Sequence, residues 1–163
     1  MEFLDLFRSL SEKKVRYLIC GGLAVNIYGI PRMTADIDII LDFTKDNIEK
    51  FEKTINSFHY KALIPMPLVS MMDDSTRLKM VREKNLIAYS YYNTVNNIMN
   101  IDVLVDAPLK FEDMWKNKTT RKIENTEIYI VSVDHLIKLK EYAGRVQDKQ
   151  DVIMLNKFKT ENS

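Results

Sequence analysis

Residues 21–38 read GGLAVNIYGIPRMTADID, and this segment carries most of the information about the architecture of the chain. The apolar run Tyr17–Cys20 precedes it and predicts a short buried strand that ends in a tight turn at Gly21 and Gly22. Two adjacent glycines let the backbone approach a ligand, and the exposed N–H groups at the start of a helix attract phosphate. The segment therefore predicts a strand, a phosphate-binding turn and a short helix over residues 23–28.

Two acidic residues follow at alternate positions of a predicted strand over residues 36–41. Because Ile37 separates Asp36 from Asp38, both carboxylates project from the same face of that strand. Neighbouring carboxylates repel each other and resist burial unless a cation joins them. Oxygen ligands in a small open site favour Mg²⁺, which waters and ligand phosphates complete. A phosphate-binding turn beside a carboxylate pair is what metal-assisted phosphoryl or nucleotidyl transfer requires.

A third acid would complete such a site, and the segment NIDVLVD at residues 100–106 offers two. Asp102 lies between apolar residues of a predicted strand over residues 98–105, so it points to the face opposite them. Asp106 lies at the end of that strand, where an acid is typical of a turn. We therefore favour Asp102 as the third metal ligand, on condition that its strand pairs beside the strand over residues 36–41.

These motifs resemble the DNA polymerase β-like nucleotidyltransferase superfamily, in which a Gly-Gly or Gly-Ser pair is followed by Asp-x-Asp or Asp-x-Glu. The chain is most similar to small stand-alone members of the toxin type, which are named after the abortive-infection system AbiE (AbiEii-like). The resemblance covers residues 15–155, and its matching positions are Gly21, Gly22, Gly29, Arg32, Thr34, Asp36, Asp38, Asp102, Lys140, Arg145, Asp148 and Asp151. Two positions depart from the pattern. Asn26-Ile-Tyr28 stands where relatives often have His before the glycine, and Gln147 stands where a basic residue is common.

The resemblance implies an enzyme that moves an NMP from an NTP to a hydroxyl acceptor and releases pyrophosphate. In such an enzyme Asp36 and Asp38 hold two Mg²⁺ ions, and Asp102 completes the second metal site and helps to deprotonate the acceptor. Nucleotide-binding roles fall on Gly21 and Gly22, which hold the triphosphate, and on Arg32, Thr34, Lys140 and Arg145. Asp148 and Asp151, three apart on one helix, either orient the cations or only cap and solvate that helix.

The acceptor implied by the resemblance stays open between an RNA end such as that of tRNA, a protein side chain and a small molecule such as an antibiotic. The toxin-type likeness favours a macromolecule, and it implies a cognate antitoxin or toxin as a partner. A second hypothesis is a catalytically inactive member that binds a nucleotide or a partner in a toxin–antitoxin pair. The intact carboxylates argue against that hypothesis, because an inactive protein has no need for acids that repel each other.

The rest of the chain predicts an α/β (α+β) nucleotidyltransferase fold, with a mixed β-sheet flanked by helices and C-terminal helices packed on it. Residues 1–163 are predicted to form one such domain, in which residues 131–158 are the C-terminal helical part. Residues 71–74 are predicted to be a loop or a short helix. Helices are expected over residues 3–10, 45–58 after an N-cap at Thr44, 111–115, 133–143 after an N-cap at Ser132, and 147–158. Further strands are expected over residues 86–92, 98–105 and 126–131, with a hairpin turn at residues 95–97.

Composition excludes several classes of protein. The 163 residues are 46% apolar and carry a net charge of +1, which disfavours a strongly basic nucleic-acid binder and an acidic disordered tail. The single cysteine, Cys20, excludes an internal disulfide framework and is expected in the core. The sequence has no apolar run of membrane-span length and no signal peptide, so we expect a soluble, cytoplasmic protein without a membrane partner.

Charge is nevertheless distributed unevenly along the chain. Residues 34–52 contain six acids and two lysines, whereas residues 77–84 contain four basic residues and one acid. Residues 110–122 contain five basic residues and two acids. A nearly neutral chain can therefore combine an acidic metal pocket with basic flanks that hold a polyanion.

Other interpretations of single features are weaker. His59 and His135 lack the spacing of zinc ligands. Phosphatases with an Asp nucleophile expect a small hydroxyl residue soon after Asp-x-Asp, and residues 40 and 41 are Ile and Leu. Glycosyltransferases with an Asp-x-Asp manganese site usually need a longer chain.

Overall fold

The computed structural model describes residues 2–97 and 99–163, so Ile98, the first residue of one predicted strand, lies outside the described residues. Helices and strands are mixed along the chain, and two pairs of strands and the last two helices are consecutive. In order the elements are α1 (Glu2–Glu12), β1 (Tyr17–Ile19), α2 (Gly21–Ile27), β2 (Asp36–Leu41), α3 (Lys45–Ser57), β3 (Tyr60–Ala62), a 3₁₀ helix (Leu68–Met72), α4 (Asp74–Lys84), β4 (Ala88–Asn93), β5 (Asn100–Leu104), α5 (Phe111–Lys116), β6 (Thr119–Ile123), β7 (Thr126–Ile130), α6 (Val133–Ala143) and α7 (Val146–Glu161).

The strands form a seven-stranded mixed sheet in the order β3-β4-β5-β2-β1-β7-β6. β2 pairs with β5 and β1 pairs with β7 in parallel, and the other four pairings are antiparallel. The predicted mixed sheet flanked by helices is therefore confirmed. The parallel pairing of β2 with β5 is the arrangement on which the choice of Asp102 depended.

The two faces of the sheet differ in chemistry. On one face α1 and α3 pack, as the ring contacts of Phe7 with Tyr17 and of Phe51 with Tyr91 show, at centroid distances of 5.5 and 5.8 Å. The apolar residues of β2 and β5 point to this face and are buried, namely Ile37, Ile39, Ile101 and Val103. Alternation then sends the acids of both strands to the opposite face, where α2 and α6 lie.

Capping residues start two of the predicted helices where the sequence placed them. The hydroxyl of Thr44 accepts a hydrogen bond from the backbone N–H of Asn47 at 3.3 Å. The hydroxyl of Ser132 accepts one from the N–H of His135 at 3.2 Å. Both bonds satisfy a donor that the first turn of a helix leaves without an intrahelical partner.

Three elements are absent from the sequence prediction, and each lacks the usual pattern. β3 has only three residues. β6, with the sequence TTRKI, lies at the sheet edge and is largely polar on both faces, so it shows no alternation. α4 buries none of its residues and therefore has no apolar stripe; instead Asp73 caps it, accepting from the N–H of Thr76. In the part of the chain that the structure describes, no helix is both long and apolar enough to cross a membrane.

Candidate active site

Two acids from different strands lie side by side on the sheet face that carries α2 and α6. We call it the open face, because its part over β3, β4 and β5 is exposed to solvent. Asp38 of β2 is the direct register partner of Asp102 of β5, and Asp36 lies two residues before Asp38 on the same face. Neighbouring strands are about 4.8 Å apart, so the two paired carboxylates face each other across one strand spacing. The structure thus places all three predicted metal ligands on one face of two adjacent strands. Asp106, the alternative third acid, instead accepts a hydrogen bond from the hydroxyl of Tyr142 at 2.9 Å.

Burial and the neighbouring carboxylates raise the pKa of two of these acids. Burial and then the neighbouring Asp102 raise the pKa of Asp36 above its ordinary value. Burial, followed by Asp102 and Asp36, raises the pKa of Asp38 to about 6, although Lys140 and Arg145 act in the opposite direction. The raised pKa values indicate that the positive charge nearby does not offset the effects of burial and of repulsion between the carboxylates.

The three carboxylates are chemically suited to Mg²⁺. Mg²⁺ takes hard oxygen ligands and is usually held by one or two carboxylates together with waters and substrate phosphates. Within residues 2–97 and 99–163, however, no three His, Cys, Asp or Glu side chains are grouped closely enough to hold a metal ion by themselves. The donors that could hold the ion are Asp36, Asp38 and Asp102.

The raised pKa of Asp38 predicts that the protein without metal loses stability as the pH rises. The folded state binds the proton more tightly than the unfolded chain, so this contribution is complete below pH 3.8 and is lost as the pH rises through about 6. We expect a loss on the order of 1–2 kcal/mol over this range after allowance for solvent screening. Urea unfolding at pH 4.5 and 7, compared with Asp38→Asn, measures it. A wild-type difference between the two pH values no larger than that of Asp38→Asn would contradict the assignment.

Gly21 allows the acids and the turn to lie this close together. Gly21 has φ +61°, and a Cβ built on it would lie 1.9 Å from Oδ2 of Asp38. The backbone N–H of Cys20 also donates to the carbonyl of Asp38 at 2.9 Å, which fixes the turn against β2. Any side chain at residue 21 would therefore collide with a proposed metal ligand.

Gly21→Ala is expected to reduce both stability and activity. The left-handed backbone alone costs about 1–2 kcal/mol for alanine. Displacement of Asp38 by the added methyl group is expected to lower kcat by roughly 100-fold. Gly29→Ala is the matched control, since Gly29 has φ +93° but a Cβ there would meet no atom within 4 Å. We expect the control to lose stability while retaining its rate in the transfer assay described below; equal rates for both variants would refute the steric argument.

Gly22 is covered by the side chains of Arg32 and Thr34, the two other predicted nucleotide-binding residues of this segment. A Cβ at Gly22 would lie 1.9 Å from Nη1 of Arg32 and 2.8 Å from Oγ1 of Thr34. The hydroxyl of Thr34 donates to the carbonyl of Asp36 at 3.1 Å, and the amide oxygen of Asn26 accepts from the N–H of Arg32 at 2.7 Å. The predicted nucleotide-binding residues 21, 22, 32 and 34 therefore form one contiguous corner beside the acids.

A buried ionic cluster connects this corner to the C-terminal helices. Lys140 of α6 is only 3% exposed, and its ammonium group lies 3.2 Å from Asp148 and 2.7 Å from Asp151. Asp151 also contacts Nε of Arg32 at 2.9 Å, and Asp148 contacts Nε of Arg145 at 2.7 Å. Of the two alternatives for Asp148 and Asp151, the structure therefore favours the one in which they orient cations. Gln147, a departure from the family pattern, donates to Asp151 at 3.2 Å.

The two predicted C-terminal cations differ in their availability. The ammonium group of Lys140 is enclosed by the carboxylates of α7. Its charge therefore acts on the proposed metal ligands through space and not by direct contact. Arg145 lies in the short connection before α7, and its side chain is 74% exposed. Its positive charge acts to lower the pKa of Asp38, and Asp148 in turn raises the pKa of Arg145 by accepting its hydrogen bond. A direct phosphate contact is open to Arg145, and the phosphate roles of both residues stay predictions.

No family model matches the chain, and no curated protein matches its sequence. Solved structures do match its fold. The lincosamide antibiotic adenylyltransferase LnuA, bound to lincomycin, is 16% identical over 96% of this chain and 94% of its own, with a TM-score of 0.60. ANT(2″)-Ia in complex with adenylyl-2″-tobramycin is 9% identical over 100% of both chains, with a TM-score of 0.56. An antigenic nucleotidyltransferase-like protein from Paracoccidioides brasiliensis is 16% identical over 93% of this chain and 72% of its own, with a TM-score of 0.55.

These comparisons concern the fold, because all three identities are low. The chain has the fold of nucleotidyltransferases, as the glycine pair and the Asp-x-Asp motif predicted. The likeness extends over nearly the whole of two neighbours, so it includes the C-terminal helices as well as the sheet.

Proposed function

We propose that this protein transfers a nucleoside monophosphate from an NTP to a hydroxyl acceptor. The observation that carries the proposal is the register of Asp38 with Asp102, on the same sheet face as Asp36 and directly beside the turn at Gly21. Carboxylates converging at a glycine turn meet the two needs of this reaction, a place for metal ions and a place for phosphates. The nucleotidyltransferase fold of the neighbours supports the same conclusion.

In the proposed reaction the acceptor oxygen attacks the α-phosphorus as the bond to the bridging oxygen breaks. Pyrophosphate leaves with that electron pair, and the proton of the acceptor hydroxyl passes to the carboxylate of Asp102 or to solvent. Asp36, Asp38 and Asp102 would hold Mg²⁺, which when bound stabilises charge on the attacking and leaving oxygens. The turn at Gly21 and Gly22 receives the triphosphate.

Two arginines flank the triphosphate side of the site. The guanidinium of Arg32 lies over Gly22, held by Asp151, whereas Arg145 is exposed and tethered to Asp148. Guanidinium groups pair with phosphate oxygens in a bidentate manner. We therefore assign the neutralisation of the triphosphate to these two residues.

For the acceptor we propose a small hydroxyl compound. LnuA is a lincosamide antibiotic adenylyltransferase, and ANT(2″)-Ia was crystallised with adenylyl-2″-tobramycin; both have nearly the extent of this chain. The AbiEii-like subtype, a macromolecular acceptor and an antitoxin partner come from the sequence resemblance alone and stay predictions. The second hypothesis is an inactive protein that only binds its ligands. Both hypotheses allow nucleotide binding, so only an assay of transfer distinguishes them.

The test is incubation with each α-³²P-labelled NTP, Mg²⁺ and a cell extract divided into a low-mass filtrate and a macromolecular fraction. We expect label to pass to a component of the filtrate, and we expect EDTA to abolish this transfer. The double variant Asp36→Ala/Asp38→Ala is the control for contaminating enzymes. Equal labelling by wild type and this variant would show that these acids are not the catalytic centre. Binding of NTP without any transfer would favour the inactive alternative.

A further inference from the structure

The acids belong to a larger pattern on the open sheet face. Ser90 of β4 is the register partner of Asp102, so Asp38, Asp102 and Ser90 form a row across three strands. The backbone N–H of Leu63 donates to the carbonyl of Ser90 at 2.9 Å, which extends the row to the chain just after β3. Directly opposite residues of paired strands point to the same face. The row therefore continues from the acids towards the β3 edge of the sheet.

A second row runs parallel to the first. Asn100 is the register partner of Asp36, and Lys61 is the register partner of Tyr92. Tyr92 lies two residues after Ser90 on β4, so it points to the same face. We call five of the residues that share this face with the acids the platform: Lys61, Leu63, Ser90, Tyr92 and Asn100.

The platform is open to solvent, unlike the other side of the same strands. Leu63 is 66% and Tyr92 is 40% exposed, and Lys61 and Asn100 are also exposed. On the opposite face Tyr89, Tyr91 and Ile101 are buried. An aromatic ring and a leucine on the open side of a sheet, beside a row of carboxylates, form an apolar surface next to reactive groups.

The two sides of the acids are chemically distinct. On the β1 side lie the turn at Gly21 and the arginines Arg32 and Arg145, which suit a triphosphate. On the β4 side lies the platform, and Asp102 is the acid nearest to it. In an in-line displacement the attacking and leaving oxygens lie on opposite sides of the phosphorus. If pyrophosphate leaves on the β1 side, the acceptor must approach from the β4 side.

We propose that the platform binds the acceptor, and that this acceptor is a small hydroxylated ring compound that is neutral or negatively charged. The inference rests on the proposed function. Tyr92 supplies a face for a ring, Ser90 and Asn100 supply polar partners, and Leu63 supplies apolar contact. Lys61 is the charged residue of the platform, and none of the other four is acidic. A compound with several positive charges would find no carboxylate there outside the acids needed for metal.

The dimensions of the platform favour a small acceptor. It spans β3, β4 and β5, which at roughly 4.8 Å between strands is about 10 Å. Its two rows are two residues apart along each strand, which is about 7 Å. One or two rings cover an area of this size.

The experiment uses the wild-type protein, α-³²P-NTP, Mg²⁺ and a low-mass cell filtrate passed over a cation exchanger at neutral pH. We expect the labelled acceptor to come from the unbound fraction, which lacks polycations. Tyr92→Ala is expected to raise the amount of this fraction needed for half-maximal rate by about tenfold, while the KM for NTP changes less than about twofold. Lys61→Glu is expected to shift labelling towards the bound fraction. Tyr142→Ala is the matched control, because Tyr142 is 54% exposed and its hydroxyl contacts Asp106 outside the platform.

The outcomes separate this inference from the proposed function. If the wild type labels nothing, both the proposed function and the proposed acceptor site are wrong. Labelling by wild type of the macromolecular fraction in the assay of the proposed function, or of the fraction bound by the cation exchanger, would overturn the acceptor class. If label goes to the unbound fraction and Tyr92→Ala and Tyr142→Ala need equal amounts of that fraction for half-maximal rate, the platform does not bind the acceptor. The proposed function would then still stand. Far-ultraviolet circular dichroism of each variant confirms that it is folded.

Discussion

Replacement of Asp38 by Asn is expected to lower kcat of NMP transfer by about 1,000-fold or more. Asp38 lies between the other two acids, with Asp102 opposite it and Asp36 on the same strand. An amide keeps the shape of the side chain but removes the negative charge that holds a divalent cation, so binding of the metal and the charge balance of the transition state both fail. Steady-state rates with the labelled acceptor, at saturating Mg²⁺, measure the loss.

A matched control separates this effect from a general loss of charge. Asp106→Asn changes an acid on the same stretch of chain as Asp102, but one whose carboxylate contacts Tyr142. We expect its rate to stay within about threefold of wild type. Asp38→Asn should also be at least as stable as wild type at pH 7, because it removes one of three mutually repelling charges. A variant that retains a tenth of the activity would show that Asp38 is not a metal ligand.

Much of the site could be predicted because its signals are local. The alternation of Asp36 and Asp38 fixes their common face whatever the sheet order is, and β2 begins and ends at the predicted residues. Asp102 could be chosen over Asp106 by the same alternation. The pairing of β2 with β5 could only be assumed, because register between strands some 60 residues apart depends on the whole sheet rather than on either segment.

The contacts within the buried ionic cluster could not be predicted from the sequence. The spacing of Asp148 and Asp151 shows that they share a helix face, but not which cations they meet. Arg32 and Asp151 are 119 residues apart in sequence, and their contact exists because α7 packs near the turn after α2. The resemblance places Lys140 at the phosphates, and the alternative interpretation places it on the exposed polar face of a helix. Its burial follows from the turn at Gly144, which brings the two carboxylates of α7 against α6.

Replacement of Lys140 by Met is expected to destabilise the protein by about 3–5 kcal/mol. The ammonium group is the shared partner of Asp148 and Asp151, and all three side chains are buried. Methionine fills a similar volume but leaves two neighbouring carboxylates with less positive charge between them. Their repulsion and desolvation are then balanced only by Arg32, Arg145 and Gln147. Urea unfolding at pH 7 measures the loss, and we expect the KM for NTP to rise as the two arginines lose their fixed positions.

The pH dependence of this variant distinguishes lost charge from lost packing. Although burial acts in the opposite direction, the hydrogen bond from Arg145 and the charge of Lys140 keep the pKa of Asp148 below its ordinary value. In the wild type this carboxylate therefore contributes stability above its unfolded pKa, and the contribution is lost as the pH falls through its lower folded pKa. Lys140→Met lacks much of that contribution, so the difference in stability between the two proteins should shrink in acid. Lys138→Met, at an exposed position of the same helix, should change stability by less than about 0.5 kcal/mol. A difference between Lys140→Met and wild type that stays constant from pH 7 to acid would assign the effect to packing alone.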